Sequence, residues 1–292
     1  VGAALPRSGG HRGQRAMRNV ATITWLTFHE ARRRSMVLVA LALGIVFLAL
    51  YAIGFLLVTG EMAQHENSEV ELTFGYNLLL IAGFYVVHFL TVMLAIFSSV
   101  DTVAGEIASH TIQTIVTKPL RRWQVMLGKW LGFALMISLY VALLAGGILL
   151  EVYLLVGYLP PNALPGGLLL IFEALVLVSL SLLGGTHFST LTNGVTLFML
   201  YGVAFVGSWV EQIGSLLQSQ GAVRVGVVSS LLLPVEAMWR RAAYLMQPSF
   251  LRQIPSPFTT GSVPSSAMVI YAGLYAAVAL ILAMRTFSRR DL

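Results

Sequence analysis

Long apolar runs without charged residues dominate the chain and predict membrane-spanning helices. The first run, residues 36–58, lies between Arg34 and Glu61. Its 23 residues, at about 1.5 Å of rise per residue, exceed the roughly 30 Å thickness of a hydrocarbon core. The stretch 166–210 is too long for one span, and the turn residues within it divide it in two. The predicted spans are residues 36–58, 76–100, 130–150, 166–186, 194–213 and 265–284.

Two further segments have the periodicity of amphipathic helices. Residues 18–35 place apolar side chains near one stripe and end in three arginines, which predicts a helix lying on the membrane before the first span. After the fifth span, Pro234 can begin a second such helix, with Glu236 and Arg240 as an i,i+4 pair on its polar face. We expect this helix at the external interface. The apolar residues 225–233 before it are too few to cross the membrane but could re-enter partway.

Composition supports a membrane protein and argues against a soluble one. Of 292 residues, 57% are apolar and 10% are charged, and the mean hydropathy is +0.83. Soluble domains carry roughly a quarter charged residues. The fold class is therefore an all-α integral membrane protein with about six transmembrane helices, in a single domain of residues 18–292. The Gly/Arg-rich residues 1–17 are predicted to be a disordered tail, and the true start could be Val1 or Met17.

The distribution of charge predicts the orientation of the spans. Residues 1–35, the segment 101–129 and the tail after Met284 hold fourteen Lys and Arg, whereas the loop 59–75 holds none. Because basic residues resist translocation, we expect both termini to be cytoplasmic in a cell (inner) membrane. The loop between the fifth and sixth spans fits less well, since it also carries four arginines. The net charge of +6 is explained by lipid headgroups, so no nucleic acid is expected as a partner.

Candidate chemistry is sparse. The chain has no Cys, which excludes disulfides and thiolate metal sites, and its six His have no zinc spacing. No glycine-rich loop ending in Gly-Lys-Ser/Thr is present, so we expect no enzymatic activity and no cofactor in this chain. Two ionisable residues, His88 and Glu173, lie inside predicted spans. Each is expected to face the bundle interior and to bond Ser, Thr or Tyr, with substrate contact as the alternative role.

The segment between the second and third spans predicts an amphipathic helix on the cytoplasmic surface. Asp101 suits a helix N-terminus, apolar residues then recur at helical spacing, and Pro119 stops the helix near Lys118. A Gly128-Lys129 pair leads into the third span. Such an element could dock into a groove on a soluble partner and pull on two membrane helices. A charged loop that only anchors the interface is the alternative.

The ordered residues of this segment resemble those of ABC-2-type ABC transporter permeases. The pattern is Asp, Gly-Glu, Thr-Ile, Lys-Pro, Arg and Gly-Lys, with His110 where that family's pattern has Gly. In that family the helix is the coupling helix that contacts the nucleotide-binding subunit. The resemblance implies that the following residues transmit motion from the ATPase: Asp101, Gly105, Glu106, Thr111, Lys118, Pro119, Arg121, Gly128 and Lys129.

The resemblance also implies partners. They are a separate nucleotide-binding ATPase subunit, which would hold ATP and Mg, and a second permease in a homodimer or heterodimer. The chain itself would be the permease subunit that couples ATP hydrolysis to export across the lipid bilayer. The alternative function is a non-transporting structural subunit, which would associate with other membrane proteins in a larger complex.

Overall fold

The chain is a bundle of α-helices. The computed structural model describes residues 9–62, 64, 68–108, 121–253 and 263–289, with side chains at all of these except 9–16, 103 and 106–108. These ranges contain no β-strand. The α-helices are α1 (Gly9–Arg33), α2 (Ser35–Met62), α3 (Glu69–Ser99), α4 (Asp101–Ala108), α5 (Arg122–Val156), α6 (Ala163–Gly185), α7 (Thr190–Leu216), α8 (Gln220–Leu232), α9 (Val235–Met246) and α10 (Ser266–Arg289).

Six of these helices are long and apolar enough to cross a membrane, which confirms the predicted fold class. They are α2, α3, α5, α6, α7 and α10. Most extend beyond the predicted spans, because helices continue past the hydrocarbon core into regions where charged residues are tolerated. At 35 residues, α5 is the longest. Its length of about 50 Å carries it beyond the bilayer core on the side where α1 lies. That side is called the α1 side below.

Helix α1 begins earlier than predicted and packs on α5. Its first nine residues fall within segment 1–17, which was predicted to be a disordered tail, whereas residues 1–8 lie outside the described ranges. Gly128 faces Ile23, and Gly132 faces Thr27. Small residues on α5 thus let the two helices approach closely. α1 is therefore fixed to a membrane helix as well as being amphipathic.

The core of the bundle lies where α3, α5 and α6 meet. Their inward side chains are apolar and almost inaccessible, whereas α2 buries only a few residues and exposes most of its apolar surface. In a membrane, that surface is in contact with lipid or with another helix. Fully buried side chains from the three central helices include Leu80, Phe84, Val87, Ile137, Leu144, Ile148, Leu170 and Leu177.

Helices α8 and α9 form a bent pair that enters the bundle from the side opposite α1. Gly214 faces Ala222 and Gly207 faces Ser229, so α8 runs antiparallel to the end of α7. A bend of 109° separates α8 from α9. The carbonyl oxygen of Met246, at the end of α9, accepts a hydrogen bond from Asn77 near the start of α3 at 3.1 Å. The pair therefore turns inside the bundle and returns, as a re-entrant segment does.

This placement corrects the prediction of an interfacial helix beginning at Pro234. α9 is buried along most of its length, including its charged residues Glu236 and Arg240. These two residues do not form the predicted i,i+4 pair. Instead, each bonds a residue on another helix. The periodicity of one segment cannot reveal partners on other helices. From sequence alone, the polar face of α9 is therefore expected to face water.

The bend leaves carbonyl groups at the end of α8 without helical partners, and α10 supplies donors for two of them. The Tyr271 hydroxyl donates to the Leu231 carbonyl at 2.7 Å, and the Tyr275 hydroxyl donates to that of Leu232 at 2.9 Å. The last carbonyls of any helix lack internal partners, and inside a membrane water is not available to satisfy them. These tyrosines therefore stabilise a break in the helix at membrane depth.

Candidate functional site

A cluster of three ionisable side chains lies inside the bundle. Nδ1 of His88 on α3 is 2.7 Å from Oε1 of Glu173 on α6. Nε2 of the same imidazole is 3.1 Å from Oε1 of Glu236 on α9. His88 and Glu173 are each 0% exposed, and Glu236 is 2% exposed. One imidazole thus joins three helices, and one of these belongs to the re-entrant pair. We call these three residues the His88 cluster.

Aromatic side chains enclose the His88 cluster. The indole of Trp239, one turn along α9 from Glu236, stacks on the imidazole with ring centroids 5.2 Å apart. The Tyr201 hydroxyl on α7 lies 3.3 Å from Nε2 of His88. Tyr85, one turn before His88, packs on Trp239 and accepts a hydrogen bond from Trp209 at 3.3 Å. This aromatic wall separates the three ionisable groups from lipid and strengthens their mutual interactions.

The predicted interior positions of His88 and Glu173 agree with the structure, and His88 has a tyrosine partner on another helix as expected, Tyr201. The bonds of His88 to two carboxyl groups, Glu173 and Glu236, were not expected. Glu236 was missed as an interior residue. Its position in the first turn of α9, two residues after Pro234, suits an acidic side chain because a helix N-terminus carries partial positive charge.

A second buried ion pair lies farther along α9. Nη1 of Arg240 is 2.8 Å from Oε1 of Glu211 on α7. Nη2 of Arg240 donates to the hydroxyl of Ser230 on α8 at 3.1 Å. A cavity of about 280 Å³ borders these three side chains. Arg240 therefore fixes α9 against the α7–α8 hairpin, while Glu236 fixes it against His88 on α3, which in turn bonds Glu173 on α6.

The structure describes part of the segment between the second and third spans, namely residues 101–108 and 121–129. Asp101 begins α4 as predicted, and Gly105 lies within that helix. Glu106 belongs to α4, but its side chain lies outside the described part, as do Thr111, Lys118 and Pro119 entirely. Arg121 is exposed directly before α5. The structure thus brings Asp101, Gly105, Gly128 and Lys129 to the α1 side.

Two of these predicted residues connect α4 to its neighbours. Lys129 is 6% exposed, and its ammonium group donates to the Thr102 carbonyl at 3.2 Å, which joins α5 to α4. Asp101 lies 3.6 Å from Arg34 and accepts a hydrogen bond from Thr190 at 3.2 Å. Gly128 is covered by α1. This short helix is therefore connected to the junction of α1 and α2 and to the N-terminal turns of α5 and α7.

The described residues offer no metal centre. Among them, no group of three His, Asp or Glu side chains has the arrangement needed to hold a metal ion. The His88 cluster does contain three such groups, but both nitrogens of its imidazole face carboxylate oxygens. A ligating histidine needs one nitrogen directed at the metal.

Comparison with known proteins extends over nearly the whole chain. No curated protein sequence matches it. The sequence model described as ABC-2 family transporter protein matches residues 21–292. The matched residues include the His88 cluster, the Arg240–Glu211 ion pair, helices α4 and α5 and all six candidate spans. The chain therefore belongs to the ABC-2 family of transporter proteins.

Proposed function

We propose that this permease subunit works in an exporter driven by a separate ATPase chain. As a member of its family, it is the membrane component and is not itself catalytic. The ATPase would dock on α4 and the residues that follow it, at the cytoplasmic face of the cell inner membrane. Closure of the ATPase around ATP and Mg would then move α4 and export a substrate across the bilayer.

The contacts of α4 are the observation that supports coupling. α4 follows α3 directly, Lys129 attaches it to α5, and Asp101 contacts Arg34 and Thr190. A displacement of α4 would therefore act on four helices near their ends. A loop that only anchored the interface would have no need for a buried ammonium group, because burying a charge is costly unless it is hydrogen-bonded.

The large apolar surface of the single chain supports assembly with a second permease. α2 exposes Leu43, Leu50 and Leu57 at seven-residue spacing, so all three lie on one side of the helix. Either lipid or a partner helix can cover such a surface. We propose a homodimer, or a heterodimer with a similar permease, in which two ATPase chains lie below two membrane subunits.

Glu106→Ala tests the proposed docking of the ATPase. The tagged chain is purified from its native membrane in mild detergent, and an ATP-hydrolysing chain should copurify at equal stoichiometry. Glu106→Ala should reduce this copurification or uncouple ATP hydrolysis from transport, while expression remains normal. Sequence predicts that Glu106 lies on the polar face of its helix. Surface substitutions usually change stability by less than about 0.5 kcal/mol. The control is Glu69→Ala, which removes an exposed carboxylate at the opposite end of α3.

The same purification tests the proposal as a whole. If unrelated membrane proteins copurify stably and no ATPase does, the chain is a structural subunit and does not pump. If the ATPase copurifies equally with Glu106→Ala and with the unchanged protein, and transport also remains coupled, the α4 element is not the site at which the two chains communicate.

A further inference from the structure

The two contacts of His88 with carboxylate oxygens set the minimum number of protons that the His88 cluster holds. Each contact between an imidazole nitrogen and a carboxylate oxygen requires one hydrogen atom, since neither atom can donate without it. Nδ1 faces Glu173 and Nε2 faces Glu236, at 2.7 Å and 3.1 Å. The cluster therefore holds at least two protons. It then has a net charge of −1, whether the imidazole carries both protons or one carboxyl group carries one.

Nothing around the cluster in the described part of the chain neutralises this charge. The ion pairs of Glu173 and Glu236 there are with His88. The groups that face the cluster are the phenols of Tyr85 on α3 and Tyr201 on α7, and the indole of Trp239 on α9. Arg240, one turn beyond Glu236, directs its guanidinium to Glu211 and Ser230. An uncompensated buried charge is costly, and such groups usually neutralise by binding a proton.

The geometry also indicates which carboxyl group takes the additional proton. Oε2 of Glu173 is buried and has no hydrogen-bond partner among the described residues. Glu236 lies in the first turn of α9, and the partial positive charge of a helix N-terminus stabilises an ionised carboxylate. Glu236 is therefore the carboxyl group that is ionised, and Glu173 carries the additional proton.

We propose that the His88 cluster is a proton-binding site inside the membrane, holding three protons in total. The imidazole is doubly protonated, Glu236 is ionised, and Glu173 carries the third proton on Oε2 while its Oε1 accepts from His88. The cluster is then electrically neutral. The third proton comes from water and returns to water on alkaline titration. This inference concerns charge balance in the bundle and does not depend on the identity of the ATPase or of the substrate.

Two spectroscopic measurements on the full-length chain in lipid nanodiscs test the proposal. Infrared difference spectra, recorded between neutral and alkaline pH, report protonated carboxyl groups. Solid-state nitrogen NMR of ¹⁵N-histidine reports doubly protonated imidazole, and His88→Gln assigns the signal. At neutral pH the unchanged protein should show both signals. If only one of the two is present, the cluster holds two protons and the proposal is wrong.

Charge balance predicts an unusual result for the two carboxyl variants. Glu173→Gln should abolish the protonated-carboxyl band, because it removes the group that carries the proton. Glu236→Gln should abolish it too, although Glu173 remains, because one carboxylate now suffices to balance the imidazolium. The doubly protonated imidazole should persist in both variants. A carboxyl band that survives Glu236→Gln in a folded protein would contradict the assignment.

Controls separate charge effects from misfolding. Glu69→Gln removes an exposed carboxyl group at the end of α3 and should leave both signals unchanged. Each variant is first checked by size-exclusion chromatography. If a cluster variant fails to fold, the spectra of the unchanged protein still decide between two bound protons and three.

Discussion

Lys129 shows how a cation is accommodated near a membrane. Its stem is packed in the bundle and its ammonium group reaches the Thr102 carbonyl at 3.2 Å. A hydrogen bond from a charged group contributes about 1.5–3 kcal/mol. Lys129→Met keeps a long apolar side chain and removes this bond. We therefore expect the backbone amides of α4 to exchange hydrogen faster, by roughly tenfold for each 1.4 kcal/mol lost.

Hydrogen exchange with mass spectrometry measures this change directly. Peptides from the opposite end of α5 should be unaffected, because they do not contact α4. Arg33→Met is the matched control, since it removes an exposed cation at the end of α1. Unchanged exchange across α4 in Lys129→Met would show that the bond does not hold the two helices together.

His88 is the residue on which the interior cluster depends. His88→Leu leaves Glu173 and Glu236 buried without the imidazole that donates to both of them. Removing one member of a buried ion pair costs about 3–5 kcal/mol. The unfolding temperature in detergent should fall sharply. It should fall little for His187→Leu, which changes an exposed histidine between α6 and α7.

Removal of the carboxylates should reverse much of that loss. The triple variant His88→Leu/Glu173→Leu/Glu236→Leu contains no buried charge in the cluster. Apolar replacements of a complete buried ion cluster are often neutral or stabilising. Its unfolding temperature should therefore exceed that of His88→Leu alone. A triple variant that is less stable than the single one would show that packing, rather than charge, dominates at this site.

Two of the three residues of the cluster could be predicted from sequence. His88 and Glu173 interrupt apolar runs, and an ionisable residue in such a run needs a polar partner. Glu236 could not be found this way, because it lies in an amphipathic segment where an exposed carboxylate is ordinary. Its burial depends on α9 entering the bundle, which is a tertiary property.

The close packing of α1 on α5 depends on glycine. A Cβ atom at Gly128 would lie 2.6 Å from Cγ2 of Ile23 and 3.2 Å from the Val20 carbonyl oxygen. Overpacking of this kind costs about 1–3 kcal/mol. Gly128→Ala should therefore destabilise the protein, or displace α1, although alanine is the better helix former.

Gly146 in the same helix provides the matched comparison. A Cβ atom there would meet no atom within 4 Å. Gly146→Ala should leave the unfolding temperature unchanged or raise it slightly, since alanine is favoured over glycine in a helix by about 1 kcal/mol. If both substitutions raise the unfolding temperature equally, α1 is not packed closely on α5.

The re-entrant pair shows what periodicity can predict and what it cannot. The short apolar run before Pro234 indicated a segment that enters the membrane without crossing it, in agreement with the bent pair. The prediction that α9 lies at the external interface was wrong, because the helix is buried in the bundle. Glu236 and Arg240 look exposed in sequence because their partners, His88 and Glu211, come from two other helices.

The six candidate spans among the described residues place the segment before the first span and the segment after the last on one side of the membrane. Because the native chain has no Cys, single cysteines can report each loop with a membrane-impermeant reagent in intact cells. Cysteines at Ser68, Ser219 and Ser249 should react, and one at Ser288 should react only after permeabilisation. All four serines are exposed.

Ser219 and Ser249 together distinguish a re-entrant pair from a seventh span. They lie before α8 and after α9, so they share a side only if the pair turns back inside the membrane. Labelling at one and protection at the other would mean that α8 and α9 cross the bilayer together. The six main spans could be predicted from sequence, because they depend on long uncharged runs and not on contacts with other helices.

The tyrosines that bond the carbonyl groups at the end of α8 belong to α10, which the ribosome makes after the re-entrant pair. Until Tyr271 and Tyr275 enter the membrane, the carbonyls of Leu231 and Leu232 lack these donors. α9 also carries Glu236 and Arg240, which oppose insertion of a segment on its own. During synthesis, the re-entrant pair can therefore reach its final position only after α10 has inserted. A chain that terminates before α10 would leave this segment unassembled and recognisable to membrane quality control.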